Sequence, residues 1–309
     1  MKNISSESDL LVLQDLGLHH SLFFILAFVY IVILFLNIGV LLIITAERSL
    51  HQPMYLLFCN LSVNDIIGST ALFPHLLFDA VSKNRFISYN ACVAQVFFGH
   101  TYGSASQTIL IVMAIDRYVA ICNPLRYSAI MTTKAVVTMS VSAWAIPVVC
   151  VGALVGLSVR LSRCRSLVPN FYCDNASLFK LSCEDVSVNN IYGLFYSAAL
   201  LSSSMGTVVT TYTRIFITCW NKKSAELTSK ALQTCSSHLV LYVTTLLCAY
   251  ILVIMHRLPE SQLLRQLFSF MYPVIPGHLN AIIYGLQTKQ LRSKILQLFS
   301  GWRSSIARC

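Results

Sequence analysis

The sequence is short of charged residues. Asp, Glu, Lys and Arg together make up 11% of the 309 residues, whereas a soluble domain carries about 25%. Hydrophobic residues make up 56%, and the mean hydropathy is +0.69. This composition excludes an ordinary soluble domain and predicts a chain that lies in a membrane.

Motifs of the common enzyme classes are also missing. The sequence has no HExxH, P-loop or nucleophile elbow, and His238 and His278 lack a metal-binding partner one helical turn away. We therefore expect no enzyme, no metal site and no nucleic-acid partner, with membrane lipids as the surroundings. The first 21 residues lack the pattern of a cleaved signal peptide, so we expect the first span to act as the targeting signal.

Seven stretches are long enough to cross a bilayer, which takes roughly 20 residues. Each predicts a helix, because only helices and closed barrels satisfy every backbone group in lipid, and nothing resembles barrel strands. The predicted fold is an all-α bundle of seven transmembrane helices in a single domain over 1–309, comprising N-terminus 1–21, bundle 22–288 and tail 289–309. The spans are 22–45, 54–81, 91–115, 135–159, 186–213, 231–255 and 266–288.

Loop charges predict the orientation. The loops on the C-terminal side hold twelve Lys and Arg residues against nine on the other side, and basic loops favour the cytosol. Acidic loop residues such as Asp174, Glu184 and Asp185 fall on the less basic side. We therefore expect an extracellular N-terminus and a cytoplasmic C-terminus.

Cysteines and glycosylation sequons agree with this orientation. Sequons begin at Asn3 and Asn175, both on the predicted outer side. Most of the eleven cysteines lie in spans as small apolar residues. Four lie on the outer side, where an oxidising compartment lets them pair in any of three connectivities: Cys92, Cys164, Cys173 and Cys183.

Ionisable residues mark two places in the spans. Asp65 lies well inside the second span, where a charge costs about 2.5 to 3.5 kcal/mol to insert. It either packs helices through hydrogen bonds to Asn37 and Asn280 or forms a water or cation site. Asp116 and Arg117 follow the charge-free span 91–115, and an acid that restrains an adjacent Arg until the pair is broken is a switch.

Several motifs together resemble one known family. MAIDRYVAIC followed by NPLRYSAIM resembles the end of the third helix of rhodopsin-like G-protein-coupled receptors and, in this longer form, of the odorant receptors. HQPMY, TKQLR and His256-Arg257 resemble the class I, fish-like branch. The resemblance continues through a long outer loop with three cysteines and through LHQPMYLLFCNLSVND at 50–65, KALQTCSSHLVLY at 230–242 and LNAIIYGLQTKQLRSKIL at 279–296.

The resemblance implies a function and its residues. It implies a plasma-membrane receptor that binds a small-molecule odorant and activates a stimulatory, olfactory-type heterotrimeric G protein, which raises cyclic AMP. It pairs Cys92 with Cys173 and Cys164 with Cys183. The residues that it implies for activation and coupling are Asp116, Arg117, Tyr118, Pro124, Leu125, Asn280 and Tyr284.

The chain departs from the family pattern in three places. Ala281 replaces the proline that usually follows the seventh-helix Asn, and the sixth helix lacks the usual Phe-Tyr pair around 244–246. Ser106 replaces a usual acid, so a sodium ion, the one cofactor that the sequence suggests, would be held near Asp65 with Asn37 and Ser106. These departures predict an altered activation geometry.

Two features predict the ligand site. On the third helix, five residues spaced three or four positions apart form one stripe, which should face the interior of the bundle. Two glycines in this stripe either leave room beside His100 or permit close helix packing. We expect His100, Gly103 and Ser104 to contact the ligand. Arg257, which ends the sixth helix, is either a snorkelling anchor or a cation that binds a ligand carboxylate through two parallel hydrogen bonds. The stripe comprises Val96, Gly99, His100, Gly103 and Gln107.

Two further interpretations concern the tail and the alternatives. The tail carries apolar residues on one face with basic residues around it, which predicts a short amphipathic helix on the inner membrane surface. A rhodopsin-like receptor for a non-odorant metabolite remains an alternative. A transporter is a weaker one, because the two halves show no inverted repeat.

Overall fold

The computed structural model describes residues 10–13, 20–82, 86–168, 172–222, 225–255 and 262–287. Seven long helices account for most of this part of the chain. They are α1 (His20–Ala46), α2 (Pro53–Val81), α3 (Tyr89–Cys122), α5 (Thr133–Val159), α7 (Ser187–Lys222), α8 (Ala225–Met255) and α9 (Gln262–Gln287). The shorter elements are the helices α4 (Tyr127–Ile130) and α6 (Asn175–Phe179), two 3-10 turns (Arg48–Leu50 and Pro124–Arg126), and the strands β1 (Leu10–Leu13), β2 (Phe86–Ser88) and β3 (Leu167–Val168).

The predicted spans coincide with the bodies of the seven long helices, which confirms the all-α bundle. Five of them, α1, α2, α3, α5 and α8, contain segments that are long and apolar enough to cross a membrane by themselves. The short helices and the strands were not predicted, because they lie in loops without a repeating apolar pattern.

Local signals in the sequence start several helices. The Ser88 hydroxyl accepts a hydrogen bond from the Ala91 N–H at 3.3 Å before α3, and the Thr132 hydroxyl accepts one from the Ala135 N–H at 3.2 Å before α5. Pro53 begins α2, where its missing N–H costs no hydrogen bond. These residues satisfy or avoid the unpaired donors that every helix start leaves.

Helix α3 lies at the centre of the bundle, where it packs against α2, α5, α7 and α8. The largest apolar core forms around its second half and includes Phe58 and Leu61 of α2 together with Ile109 and Leu110 of α3. Because α3 contacts four long helices, a change in its position would alter its packing against all four.

Two disulfides and a small sheet lie at the N-terminal end of α3, which we call the disulfide end. Cys92 pairs with Cys173 and Cys164 pairs with Cys183, with Cα atoms 5.3 and 5.9 Å apart; these are the pairings that the resemblance implies. The sheet has the order β2-β1-β3, with β1 antiparallel to β2 and parallel to β3. The N-terminal strand therefore joins two loops of the disulfide end.

Helix α9 contains the departure at Ala281. This residue is buried, and the helix runs through it without interruption from Gln262 to Gln287. The helix contains Pro273 and Pro276 upstream, where a missing N–H and a bulky ring favour a bend. The helix therefore carries its prolines one to two turns before Ala281 and none directly after Asn280.

Candidate functional site

A cavity of about 280 Å³ lies inside the bundle below the disulfide end. Its size is near the lower limit of ordinary ligand pockets, which suits a small molecule. The predicted residues His100, Gly103 and Ser104 all line it, together with Val96, Gly99 and Gln107 of the same stripe. The lining that the stripe did not predict comes mainly from the loop before α6, from α6 itself and from α7, including Tyr172, Asp174, Asn175, Asn189 and Asn190.

A chain of polar side chains forms the wall beside His100. The His100 Nε2 accepts a hydrogen bond from the Asn175 backbone N–H at 3.3 Å, so a neutral ring carries its proton on Nδ1. Ser158 donates to the Asn175 Oδ1 at 2.8 Å and accepts from the Asn189 Nδ2 at 3.1 Å. Helices α3, α5, α6 and α7 thus meet through hydrogen bonds at one side of the cavity.

The glycosylation predicted at Asn175 is not compatible with this arrangement. Asn175 is only 5% exposed, its amide oxygen accepts from Ser158, and it lines the cavity. A glycan attached to this nitrogen would have no room inside the bundle. Burial therefore argues against glycosylation at Asn175, which the sequon pattern could not show because it reports three residues and not the fold of the loop around them.

The two glycines of the stripe have different roles. At Gly99 an added Cβ would meet no atom within 4 Å, so this position leaves the cavity open. At Gly103 an added Cβ would lie 2.9 Å from the Tyr272 hydroxyl oxygen. Gly103 therefore permits the close approach of Tyr272, which agrees with the packing alternative, while Gly99 agrees with the cavity.

Gln95, which sequence reasoning missed, connects the cysteine-containing loop before α6 to the helices that line the cavity. Its Oε1 accepts from the Cys173 N–H at 2.8 Å, and its Nε2 donates to the Ala71 carbonyl at 3.1 Å. Together with the Cys92–Cys173 disulfide, this side chain fixes the loop against α2 and α3. A buried polar residue one turn after Cys92 was the signal available in the sequence.

The second candidate site lies at the opposite end of α3, which we call the Arg117 end. Arg117 donates to Asp116 Oδ2 through Nε at 3.1 Å and also through a terminal guanidinium nitrogen. The Tyr127 hydroxyl donates to Asp116 Oδ1 at 2.7 Å. We call Asp116, Arg117 and Tyr127 the latch. Sequence reasoning found the first two and missed the hydroxyl of Tyr127.

Electrostatics favour the hydroxyl form of Tyr127. Burial raises the pKa of this phenol, and the neighbouring Asp116 carboxylate raises it further, both through its charge and through the hydrogen bond. The phenol therefore stays protonated and remains a hydrogen-bond donor to Asp116 at physiological pH.

The other predicted residues of this end form an exposed patch beside the latch. Pro124 is exposed at the start of the 3-10 turn, and Leu125 is 98% exposed. Tyr118 is half-buried and packs against the core around α3, α7 and α8. Pro124 and Leu125 are thus accessible at the Arg117 end, whereas Tyr118 is partly covered by the bundle.

Comparison with known proteins decides the family. A family model described as olfactory receptor matches residues 26–301. The chain belongs to the olfactory receptor family. Human olfactory receptor 52Z1P is 36% identical over 290 residues, which cover 92% of this chain and 96% of that protein. Human olfactory receptor 52N2 is 32% identical over 278 residues, which cover 89% and 87%.

The fold comparison agrees with this assignment. The crystal structure of squid rhodopsin matches with a TM-score of 0.73 and 19% identity, covering 91% of this chain and 85% of that one. This olfactory receptor is thus a multi-pass protein of the plasma membrane, and a receptor rather than an enzyme. A small-molecule ligand and coupling to a G protein follow from the family in general. Its class I character stays a prediction.

The intramembrane acid of the receptor has one of its two predicted partners. Asp65 is 1% exposed, and its Oδ2 accepts from the Asn280 Nδ2 at 2.9 Å. Asn37 instead donates to the carbonyls of Ile33 and Gly277. The hydrogen bonds thus support the helix-packing alternative through Asn280 and not through Asn37.

Ser106, the third residue of the expected sodium site, is also bonded elsewhere. Its hydroxyl donates to the Tyr102 carbonyl at 2.9 Å and accepts from the Asn64 Nδ2 at 2.8 Å. Among the described residues, no group of His, Cys, Asp or Glu has the arrangement of a metal site.

His238 connects three helices of the receptor near the latch, a role that the sequence did not reveal. It is fully buried, with Nε2 3.0 Å from the Leu110 carbonyl of α3 and Nδ1 2.8 Å from the Tyr212 hydroxyl of α7. Because a carbonyl can only accept, Nε2 carries the proton and Nδ1 accepts from Tyr212. Both ring nitrogens are thereby satisfied in the neutral form.

Several predictions fall on residues outside the described ranges. These are the ligand contact of Arg257, the glycosylation of Asn3 and the amphipathic helix of the tail 289–309. Tyr284 lies in α9, but its side chain is not among those described.

Proposed function

We propose that this receptor binds a small polar odorant in the cavity below the disulfide end and signals through a stimulatory, olfactory-type G protein that raises cyclic AMP. The observation that carries the proposal is the cavity itself, about 280 Å³ and lined by amide, hydroxyl and imidazole groups among apolar side chains. An apolar enclosure with a few polar groups suits a small molecule that has both an alkyl part and a polar head.

The proposal places the disulfide end and the N-terminus outside the cell. Two disulfides support this orientation, because they form and persist in oxidising compartments. Strand β1 pairs with two loops of that same end, so the N-terminal strand and the disulfides lie on one side. The latch then lies on the cytoplasmic side, within reach of a G protein.

The latch supports a mechanism for coupling. In the present arrangement the Arg117 guanidinium is held by Asp116, whose second oxygen is held by Tyr127. Ligand binding would shift the population toward an arrangement in which Arg117 leaves Asp116 and contacts the G protein beside the exposed Leu125. A charge-assisted hydrogen bond between buried groups stabilises the resting state, and activation would have to break it.

The head group of the ligand is proposed to be a carboxylate held by Arg257. Among the described lining residues none is Lys or Arg, and Asp174 carries the formal negative charge. Asp174 is engaged as the cap of α6, where its Oδ1 accepts from the Ser177 N–H at 2.6 Å. A carboxylate ligand therefore depends on a cation from another part of the chain, and Arg257 is the candidate that the sequence supplies.

A sodium ion at Asp65 is proposed as a modulator of the resting state. Among the described residues, the Asp65 Oδ1 has no hydrogen-bond partner, whereas Oδ2 is bonded to Asn280. A buried carboxylate with one unsatisfied oxygen suits a hard cation with oxygen ligands. Replacing sodium by an organic cation should raise agonist affinity in the wild-type receptor and leave it unchanged in Asp65→Asn. An equal change in agonist affinity in the wild type and in Asp65→Asn would overturn the proposal.

The first experiment is a cyclic-AMP assay in cells that express the receptor with an olfactory-type G protein. Small carboxylic acids, alcohols and amines are screened, with surface expression measured in parallel and Arg117→Ala as the signalling control. A dose-dependent rise that Arg117→Ala abolishes supports the function. A verified surface receptor that responds to no ligand with this G protein, but activates another one, would contradict the proposed coupling.

The head-group proposal is tested on whichever acids are active. Arg257→Ala should lower their potency strongly, and Arg257→Lys should restore part of it, because an ammonium keeps the charge but not the paired donors. Alcohols and amines serve as ligands that do not need the paired donors. Unchanged potency of every active acid in Arg257→Ala would show that the carboxylate is bound elsewhere or not at all.

A further inference from the structure

Gln107 lies at the deep end of the cavity. It follows His100 by seven residues on α3, which places it about 10 Å farther from the disulfide end, and it lines the same cavity. The residue is 1% exposed, and among the described residues its Nε2 has no hydrogen-bond partner. A buried amide nitrogen without an acceptor is unusual, because buried polar groups are almost always paired.

The other end of the amide is fixed by a chain of hydroxyl groups. Ser204 of α7 donates to the Gln107 Oε1 at 2.8 Å, and the Ser204 oxygen lies 3.1 Å from the Tyr242 hydroxyl of α8. Ser204 has a single hydroxyl hydrogen, so it can donate in only one of these two contacts, and the shorter contact is the one to Gln107.

The hydrogen count also favours one orientation of the Gln107 amide. If the Gln107 amide were reversed, Ser204 would donate to Tyr242, and among the described residues the Tyr242 hydrogen would have no acceptor. The chain of donors therefore favours Oε1 toward Ser204 and leaves the N–H groups of Gln107 without a partner.

We propose that Gln107 is a ligand-binding residue that donates a hydrogen bond to an acceptor oxygen at the end of the ligand that enters the cavity deepest. The proposal rests on the proposed function, because it uses the same cavity. It names the chemistry of the ligand's far end: a ketone, ether or ester oxygen rather than a plain alkyl end. An ammonium at that end has donors and no acceptor, so it would leave Gln107 unpaired.

The test measures binding directly, as the rise in melting temperature of the purified receptor. The probes are matched pairs of straight-chain molecules of equal length, one with a plain alkyl end and one with a ketone at the penultimate carbon. Each pair is made with a carboxylate, an ester and a hydroxyl head. We expect the ketone member to bind roughly fivefold more tightly, as one buried hydrogen bond allows. An ω-ammonium member of the same length should bind more weakly than either.

Three variants separate ligand contact from packing. Gln107→Met keeps nearly the same shape without a donor, so it should bind both members of a pair equally; Gln107→Asn serves as a second variant, with an amide too short to reach, if Met folds poorly. Ser204→Ala removes the hydrogen bond that orients the Gln107 amide without changing a residue that lines the cavity, so it should weaken the preference for the ketone without abolishing it.

The outcomes distinguish this inference from the proposed function. If pairs with a carboxylate head do not bind but another head group binds with a preference that needs Gln107, the carboxylate proposal fails and the inference stands. A preference that persists in Gln107→Met overturns the inference, since a bound water or simple packing then explains the buried amide. Absence of binding by every pair overturns both.

Discussion

Removing one hydroxyl from the latch should activate the receptor without ligand. Tyr127→Phe deletes the 2.7 Å hydrogen bond to Asp116 Oδ1 and keeps the aromatic ring. A hydrogen bond to a charged group contributes about 1.5 to 3 kcal/mol. If the bond exists only in the resting arrangement, its loss multiplies the ratio of active to resting receptor by about 10 to 150.

This factor predicts a large change in basal signalling. A receptor that is active about 1% of the time, within the usual range for a minor state, would become active roughly 10 to 60% of the time. Agonist potency should rise together with basal activity, because the ligand no longer has to break that bond. The pair between Asp116 and Arg117 remains in the variant, so the receptor should still respond to ligand.

The assay is basal activation of the responding G protein per receptor at the cell surface. Tyr192→Phe is the matched control, because its hydroxyl donates to the Cys150 carbonyl at 3.0 Å toward the disulfide end and does not touch the latch. Tyr127→Phe should raise the basal signal, and Tyr192→Phe should not. Equal basal signals in Tyr127→Phe and the wild type, at equal surface expression, would refute the role given to Tyr127.

Three further predictions concern the loop and the core. Asn175→Gln and Ser177→Ala both delete the sequon, and neither should change the glycan-dependent gel mobility; a shift in both would restore Asn175 as a glycosylation site. Asn175→Gln should nonetheless weaken ligand binding, because it disturbs the cavity wall. His238→Leu removes both hydrogen bonds of the imidazole and should lower stability by about 1 to 3 kcal/mol, so an unchanged melting temperature would contradict its hydrogen bonds. Cys92→Ser opens the disulfide to Cys173 and should cost about 2 to 5 kcal/mol, an effect that a reducing agent should reproduce in the wild type.

The bundle was predictable because lipid imposes a strong constraint on the sequence. A long apolar stretch in lipid must be helical, and this rule located the bodies of all seven long helices, although the second contains Asp65 and Asp79. It placed the ends of two helices on the Arg117 side too early, however. The predicted third and fifth spans end at 115 and 213, while α3 and α7 run on to Cys122 and Lys222, because a helix can continue into water where charged residues are tolerated.

The candidate sites were predictable only where helical spacing decides which residues face inward. The stripe on α3 therefore found His100 and Gly103, but helical spacing could not show that Tyr272 fills the space beside Gly103. The loop residues that line the cavity could not be predicted from the sequence, for a different reason. Asn175 is buried by a loop whose course depends on two disulfides and on Gln95, and no local pattern encodes such long-range contacts.

The position of Gln107 bears on how ligand binding in the cavity can affect the latch at the other end of α3. It precedes Arg117 by ten residues on α3, about 15 Å along the helix, so no small ligand in the cavity can touch both. A ligand shifts a receptor's equilibrium only by the difference in its affinity for the two states. Some residue that contacts the ligand must therefore change its other contacts when α3, α7 and α8 rearrange.

Gln107 meets this requirement, because its amide lies between the cavity and the hydroxyl groups of Ser204 and Tyr242. One turn farther on, His238 joins the Leu110 carbonyl to Tyr212 across the same three helices. Apolar contacts in the surrounding core tolerate small sliding movements, whereas hydrogen bonds of fixed direction are either kept or broken. If the ligand contacts Gln107 as proposed, binding at these two polar contacts would favour a discrete change in the positions of α3, α7 and α8, and that change would act on Asp116 and Arg117.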